Sequence, residues 1–175
     1  MKGTVLYEVN DGVAVLTVDN PPVNPLSDGV RNGLYESLQK AEDDNSVKGV
    51  VLTGNGRAFI AGADISEFGG NVEGKSLNEV FQKLEFCKKP VVAAINGIAL
   101  GGGLETALCC NYRIIDKNAI VGLPEVNLGL LPGGGGTQRL PRLAGPSEAL
   151  KMMLTGSHVP AQKALNLGIV DSISD

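Results

Sequence analysis

The stretch Val91-Val92-Ala93-Ala94-Ile95-Asn96-Gly97-Ile98-Ala99-Leu100-Gly101-Gly102-Gly103-Leu104-Glu105-Thr106-Ala107-Leu108-Cys109-Cys110 carries the most information about the fold of this 175-residue chain. Val91 to Ile95 is an apolar run that does not alternate with polar residues, which suits a strand buried on both faces of a parallel sheet. Asn96-Gly97 closes it, three successive glycines follow, and a helix is expected from about Gly103 to Cys110. Val47 to Thr53, closed by Gly54-Asn55-Gly56, is a second run of the same kind. Strands alternating with helices make an α/β fold.

The flanking sequence extends this reading. Thr4 to Val9 and Val13 to Val18 are β-branched, apolar runs, and Asn10-Asp11-Gly12 between them supplies the positive φ of a tight hairpin. Asn20-Pro21-Pro22-Val23-Asn24-Pro25 is a loop, because its prolines remove backbone donors and fix φ. Ser27 opens a helix whose apolar positions are Val30, Leu34, Leu38 and Ala41. Ser76-x-x-Glu79 is a capping box ahead of the stripe Leu77, Val80, Phe81, Leu84. Further helices are expected at Ser147 to Leu154 and at Pro160 to Leu167, the latter with proline at its first position. No linker, low-complexity tract or repeat marks a second domain.

Composition narrows the function classes. The chain is 43% hydrophobic and 19% charged, within the globular range. Its net charge of −4 and scattered basic residues disfavour a nucleic-acid platform. The single histidine, His158, excludes an intrachain H-E-x-x-H zinc site. Cys87, Cys109 and Cys110 lie in apolar surroundings without C-x-x-C spacing and read as reduced, buried thiols of an intracellular protein. No signal-peptide core is present, and Val91 to Leu104 is too short and too rich in glycine to span a membrane.

Gly69-Gly70-Asn71-Val72-Glu73-Gly74-Lys75-Ser76 satisfies the phosphate-loop pattern G-x-x-x-x-G-K-S. It lacks a preceding buried strand and reads as a loop before a capped helix. The dinucleotide fingerprint G-x-G-x-x-G is missing from the sequence, so nothing in it supports a nicotinamide cofactor.

Gly101-Gly102-Gly103 admits two explanations: exposed backbone N–H groups at a helix start, suited to a developing oxyanion, or close packing of helix on strand. Glu105 is the only charge from residue 91 to residue 110, and a carboxylate on an apolar helix either reaches solvent or lines a functional pocket. Glu125, after Pro124, fits equally the first turn of a helix. Asp64-x-x-Glu67 could cap a short helix.

Together, Gly56 to Asp64, Ala94 to Glu105, and Leu123 to Gly129 continuing through Gly136 to Leu140 resemble the enoyl-CoA hydratase/isomerase (crotonase) family in three ordered motifs. The resemblance covers about Val5 to Ile173, and Asn20 to Asn24 and Leu123 to Val126 look most like the hydratase part of multifunctional β-oxidation enzymes. It implies a spiral of ββα turns, assembled as a trimer or a pair of trimers. It implies an oxyanion hole from the N–H groups of Ala63 and Gly102, and Glu105 and Glu125 as the catalytic pair. It further implies acyl-CoA contacts from Ala61, Gly62, Asp64, Ile65 and Ser66, and from Ile98, Gly101, Pro124 and Gly133. Coenzyme A is then part of the substrate, and no separate cofactor or metal is expected.

The implied reaction is addition of water to a trans-2-enoyl-CoA, with Glu105 as base and Glu125 as acid; movement of a 3-enoyl double bond to position 2 is compatible with the same pair. Because two carboxylates sharing a dry site repel, one is expected to have a raised pKa. Family members continue past Ile173 into further helices, so the resemblance implies one domain over residues 1–175, cut short of its C-terminal helical segment. An alternative of another class is a non-catalytic acyl-CoA-binding or assembly fragment. The expected compartment is the cytoplasm, or the peroxisome for a eukaryotic full-length chain. Asn111, at a position often Asp in the family, is expected to be structural.

Overall fold

The computed structural model describes residues 3–67 and 74–175. In chain order the elements are β1 (Thr4–Asn10), β2 (Val13–Asp19), α1 (Asp28–Asp43), β3 (Gly49–Gly54), β4 (Ala58–Ile60), α2 (Leu77–Glu85), β5 (Val91–Ile95), β6 (Ile98–Leu100) and α3 (Gly102–Leu108). They continue as β7 (Tyr112–Asp116), β8 (Ile120–Gly122), α4 (Gly136–Ala144), α5 (Pro146–Thr155), β9 (His158–Pro160), α6 (Ala161–Asn166) and β10 (Ser172–Ser174). Short 3-10 turns span Ile65–Glu67 and Glu125–Leu128.

The expected hairpin forms, with Asn10 opposite Val13 and with Asp11 (φ 50) and Gly12 (φ 81) both left-handed. That pair of positive φ values matches the strands' own twist. The loop after β2 is pinned by Asn24, 1% exposed and itself left-handed at φ 55. Its amide Nδ2 donates to the Asn55 carbonyl at 2.9 Å and the Ala58 carbonyl at 2.8 Å, and its Oδ1 accepts from the Asn20 N–H at 2.9 Å. A buried amide satisfied this fully ties the loop to the turn between β3 and β4.

Ser27 stands at the N-cap of α1, which buries Val30, Leu34, Leu38 and Ala41 as their spacing predicts. The Ser76–Glu79 capping box is present at α2, which buries Val80, Phe81 and Leu84 and leaves Leu77 half-buried. Residues 69–73 of the phosphate-loop pattern lie outside the described residues. Of its remainder, Ser76 caps α2 and Lys75 pairs with Glu79 at 3.0 Å.

β1, β2, β3, β5, β7 and β10 form a six-stranded sheet in that order, parallel from β2 onward. β3 and β5 are not buried on both faces as expected. Val50, Leu52, Val91, Ala93 and Ile95 are buried, whereas Val51, Thr53, Val92 and Ala94 on the opposite face are half-buried. Helix α1 packs on one side of β1, β2 and β3, so only that face is closed by it. Other adjustments are local. Helix α3 starts and ends earlier than read, and Pro160 is the extended N-cap of α6 and not its first helical residue. Asn111 is structural: its Oδ1 accepts from the Val91 N–H at 2.8 Å at the start of β5.

β4, β6, β8 and β9 make a second, four-stranded sheet of three-residue strands. Each of the pairs β3–β4, β5–β6 and β7–β8 places its first strand in the large sheet and its second in the small one. This is the ββα spiral. Because β4, β6 and β8 are mutually parallel, their C-terminal ends release residues 61–64, 101–105 and 123–125 on the same side of the molecule.

Candidate active site

These three strand ends surround a cavity of about 510 Å³. Ala61, Gly62, Ala63, Asp64, Ile65, Gly101, Gly102, Glu105, Pro124, Glu125 and Gly133, all singled out from the sequence, line it. Ser66 and Ile98 do not. The Ser66 hydroxyl and N–H turn back onto Asp64 Oδ1 at 2.6 and 2.9 Å, and Ile98 lies within the small sheet between Ala58 and Ile120. Sequence reading missed Arg31 and the apolar Leu100, Leu128, Leu130 and Leu131, and took Glu67 only as part of a helix cap; its carboxylate instead pairs with Arg31 at 2.6 Å in the wall and accepts from the Asp28 N–H. No sequence signal marks Arg31, whose ion-pair partner is 36 residues away.

The three glycines differ in what their surroundings require of them. Gly101 has φ 54 and ψ −124, a conformation for glycine alone, and a Cβ there would lie 3.2 Å from Glu125 Oε1. Gly103 is a packing glycine: a Cβ would overlap the Ile60 carbonyl of β4. Between them, Gly102 begins α3, where N–H groups have no intrahelical acceptor. A Cβ on Gly102 would come within 3.5 Å of the Ala63 nitrogen, so the two backbone segments approach closely. Ala63 forms an isolated parallel bridge with Leu26, whose N–H donates to Gly62 O at 2.9 Å. In such a bridge the bonds run through the residues flanking Ala63, which turns its own N–H away from Leu26.

Glu105 is 2% exposed, and its Oε1 accepts from the N–H groups of Gly134 and Gly136, both at 2.8 Å. The glycine run before α4 is therefore its cradle. A Cβ on Gly134 would overlap Phe81 and come 2.6 Å from Glu105 Oε2, and one on Gly136 would come 2.9 Å from Oε1. Arg139 supports the cradle from behind, donating to the Gly134 carbonyl at 2.8 Å and to Glu85 at 2.6 Å. Burial pushes the Glu105 pKa up; the two N–H donors and the Arg139 charge hold it back.

Glu125 sits both in the first turn of the short 3-10 helix and on the cavity, so the two sequence explanations coincide. Its Oε2 is buried without a hydrogen-bond partner. Burial raises its pKa to about 6, with the Glu105 charge adding to the rise. Mutual repulsion alone, as anticipated from the sequence, is thus the smaller cause at Glu125. Cys109 and Cys110 are buried thiols, the former pushed up to about 12 by burial, whereas Cys87 is only half-buried. Among the described residues no cluster of His, Cys, Asp or Glu is placed to hold a metal ion, and no helix is long and apolar enough to cross a membrane.

The family model described as enoyl-CoA hydratase/isomerase matches residues 8–174. This chain belongs to the enoyl-CoA hydratase/isomerase family. Among its curated relatives, a peroxisomal bifunctional enzyme of Danio rerio is 51% identical over 170 residues, covering 97% of this chain and 24% of that protein. A probable enoyl-CoA hydratase of Bacillus subtilis is 45% identical over 169 residues, 93% of this chain and 66% of that one. The crystal structure of an enoyl-CoA hydratase from Bacillus anthracis superposes with a TM-score of 0.91 at 36% identity, covering 98% of this chain and 70% of that chain. The family therefore accounts for the crotonase-type spiral, and the chain spans about a quarter of the length of the bifunctional enzyme it matches.

Proposed function

We propose that this chain is an enoyl-CoA hydratase of fatty-acid β-oxidation, adding water across a trans-2-enoyl-CoA to give a 3-hydroxyacyl-CoA. The observation that carries this reading is that Glu105, Glu125, Ala63 and Gly102 all line one cavity. Two backbone donors on the thioester oxygen draw charge from the conjugated system, leaving C3 electrophilic and C2 basic. Glu105, held by its two N–H donors through Oε1, keeps Oε2 for a water molecule. It takes one proton as the hydroxide oxygen bonds to C3. Glu125 gives its proton to C2 as the C2–C3 π bond breaks, so one water is added and the site ends with the proton on the other carboxyl. The unpartnered Glu125 Oε2 also suits the proton transfers that move a 3-enoyl double bond to position 2.

The residues 61–65 are proposed to hold the CoA portion, and the leucines at 128, 130 and 131 to border the acyl chain. Self-association into a trimer or a pair of trimers is supported by exposed leucines nearby, Leu131 at 77% and Leu154 at 63%. Sedimentation of the purified chain reads this directly. Relatives named as peroxisomal make the peroxisome the expected compartment in a eukaryotic full-length chain, and the cytoplasm otherwise; tagging the full gene product distinguishes them.

The deciding experiment follows loss of the conjugated thioester absorbance of crotonyl-CoA. Turnover is expected in the native chain and is expected to vanish in the combined Glu105→Gln, Glu125→Gln variant. Undiminished turnover in that variant rejects the assignment. Thermal stabilisation by acyl-CoA without any turnover identifies a non-catalytic binding fragment instead.

A further inference from the structure

We propose that Arg31 is a positioning residue: together with Glu67 it clamps the Leu26–Ala63 bridge and so fixes the Ala63 N–H against the thioester oxygen. The inference rests on the hydratase reading of the cavity. Arg31 is 3% exposed, although it lies in the first turns of α1. A guanidinium buried that deeply is costly unless it is paired and hydrogen-bonded. Its partners are specific. Nη1 donates to the Leu26 carbonyl at 2.8 Å and to Glu67 Oε2 at 2.6 Å, and Nε donates to the Lys75 carbonyl at 2.7 Å. Glu67 Oε1 in turn accepts from the Asp28 N–H at 2.9 Å.

The pair therefore closes two segments on each other, one running from Leu26 to Arg31 and the other from Ala63 to Glu67. What it closes is an isolated bridge, Leu26 opposite Ala63, with the Leu26 N–H on Gly62 O at 2.9 Å; on its far flank the Ala61 N–H donates to Val23 O at 3.0 Å, and on the near flank the Arg31–Glu67 pair takes that part. One isolated bridge has no neighbouring strand pairs to hold its register. The side chain of the same Leu26 lies 3.1 Å from where a Cβ on Gly102 would stand. Leu26 thus lies against both donor residues, and Arg31 holds its carbonyl. An ordinary loop-tying ion pair would have no such address; this one borders the cavity and grips the residue bridged to the donor. Donors aimed at a developing oxyanion act only within a few tenths of an ångström of the right place.

The test uses the native chain, Arg31→Gln, Glu67→Gln and the combined variant, with butanoyl-CoA labelled with ¹³C at the thioester carbonyl as a probe that cannot be hydrated. The native chain is expected to lower the carbonyl stretching frequency of the bound probe relative to free probe. Each single variant is expected to lose about half of that lowering and about tenfold in kcat for crotonyl-CoA, with KM within about twofold. The combined variant is expected to lose no more than either single one, because the two residues act as one clamp. Full lowering in variants that still fold and bind overturns the proposal, as does a loss confined to KM. Should Arg31→Gln fail to fold, Glu67→Gln decides by the same two readings. A native chain that neither shifts the probe nor turns over crotonyl-CoA overturns the hydratase reading itself, which keeps the two failures distinct.

Discussion

Glu105 and Glu125 share a cavity and a side-chain type, yet their surroundings are opposite. Glu105 is locked: α3 fixes its backbone, two N–H donors converge on Oε1, and Arg139 lies behind the donors. Glu125 stands on a short 3-10 turn with Oε2 buried and unpartnered, and its pKa is raised to about 6. On the proposed hydratase reading, the contrast gives a physical reason for the two roles that the family resemblance implies. A carboxylate gripped on one oxygen by two N–H donors, which oppose the rise that burial causes, is fixed in direction and suits a base that orients water. One with no donor on its inner oxygen loses little by carrying a proton, and suits an acid.

The sharpest way to break this contrast is Glu105→Gln, which keeps shape and N–H acceptance but removes the base. It is expected to lower kcat by about 10³-fold, with Glu125→Gln costing at least about 10²-fold, measured on crotonyl-CoA. Equal and trivial losses would show that neither carboxylate moves a proton. Next in size is Gly134→Ala, whose methyl would overlap Phe81 and press on Glu105. It should cost about 2–3 kcal/mol in urea unfolding, together with most of the activity.

The pH dependence sharpens the assignment further. With Glu125 acting as the protonated acid, kcat/KM is expected to fall as pH rises through about 6. In Glu105→Gln the residual activity should fall at a lower pH, since the Glu105 charge contributes to raising Glu125. A limb that stays in place would remove Glu105 as a cause. Stability follows the same sign: the folded Glu125 binds its proton more tightly than the unfolded chain does. Its contribution is present below the ordinary carboxyl pKa and is lost as pH rises through about 6. Glu125→Gln should therefore stabilise the fold by about 1 kcal/mol at pH 8 and by little at pH 4, read from urea midpoints. The smallest effect is expected for Gly133→Ala, where a Cβ would meet nothing closer than the Leu131 carbonyl at 4.0 Å. Its stability should stay within about 0.5 kcal/mol of native, in contrast to its neighbour Gly134.

What could be read from sequence was what is decided locally. The hairpin turn at Asp11-Gly12, the α1 stripe and the Ser76–Glu79 box each depend on residues within a few positions of one another. The small sheet does not. Its strands are three residues long, and β4 and β6 meet across about forty residues, as in Ala58 opposite Ile98. Helix α4 was hidden because it begins in a glycine run and contains Pro141, both of which argue against helix when read alone. The positions of the two glutamates were legible through the motifs that resemble the family, but the cradle was not. Gly134 and Gly136 reach Glu105 from 29 and 31 residues away, and no short-range pattern announces that contact. The Arg31–Glu67 pair was invisible for the same reason, with partners 36 residues apart.

The small sheet also acts as a ruler. Neighbouring strands in any sheet lie about 4.8 Å apart, so the ends of β4, β6 and β8 deliver their groups at fixed intervals along one line. β4 and β8 lead to one residue each, Ala63 and Glu125, while β6 between them leads into both Gly102 and Glu105. On the proposed hydratase reading, polarising the carbonyl and moving the second proton then fall to residues beyond separate strands. Exchanging the residue beyond the end of β8 would change how the reaction finishes while leaving intact the machinery that starts it.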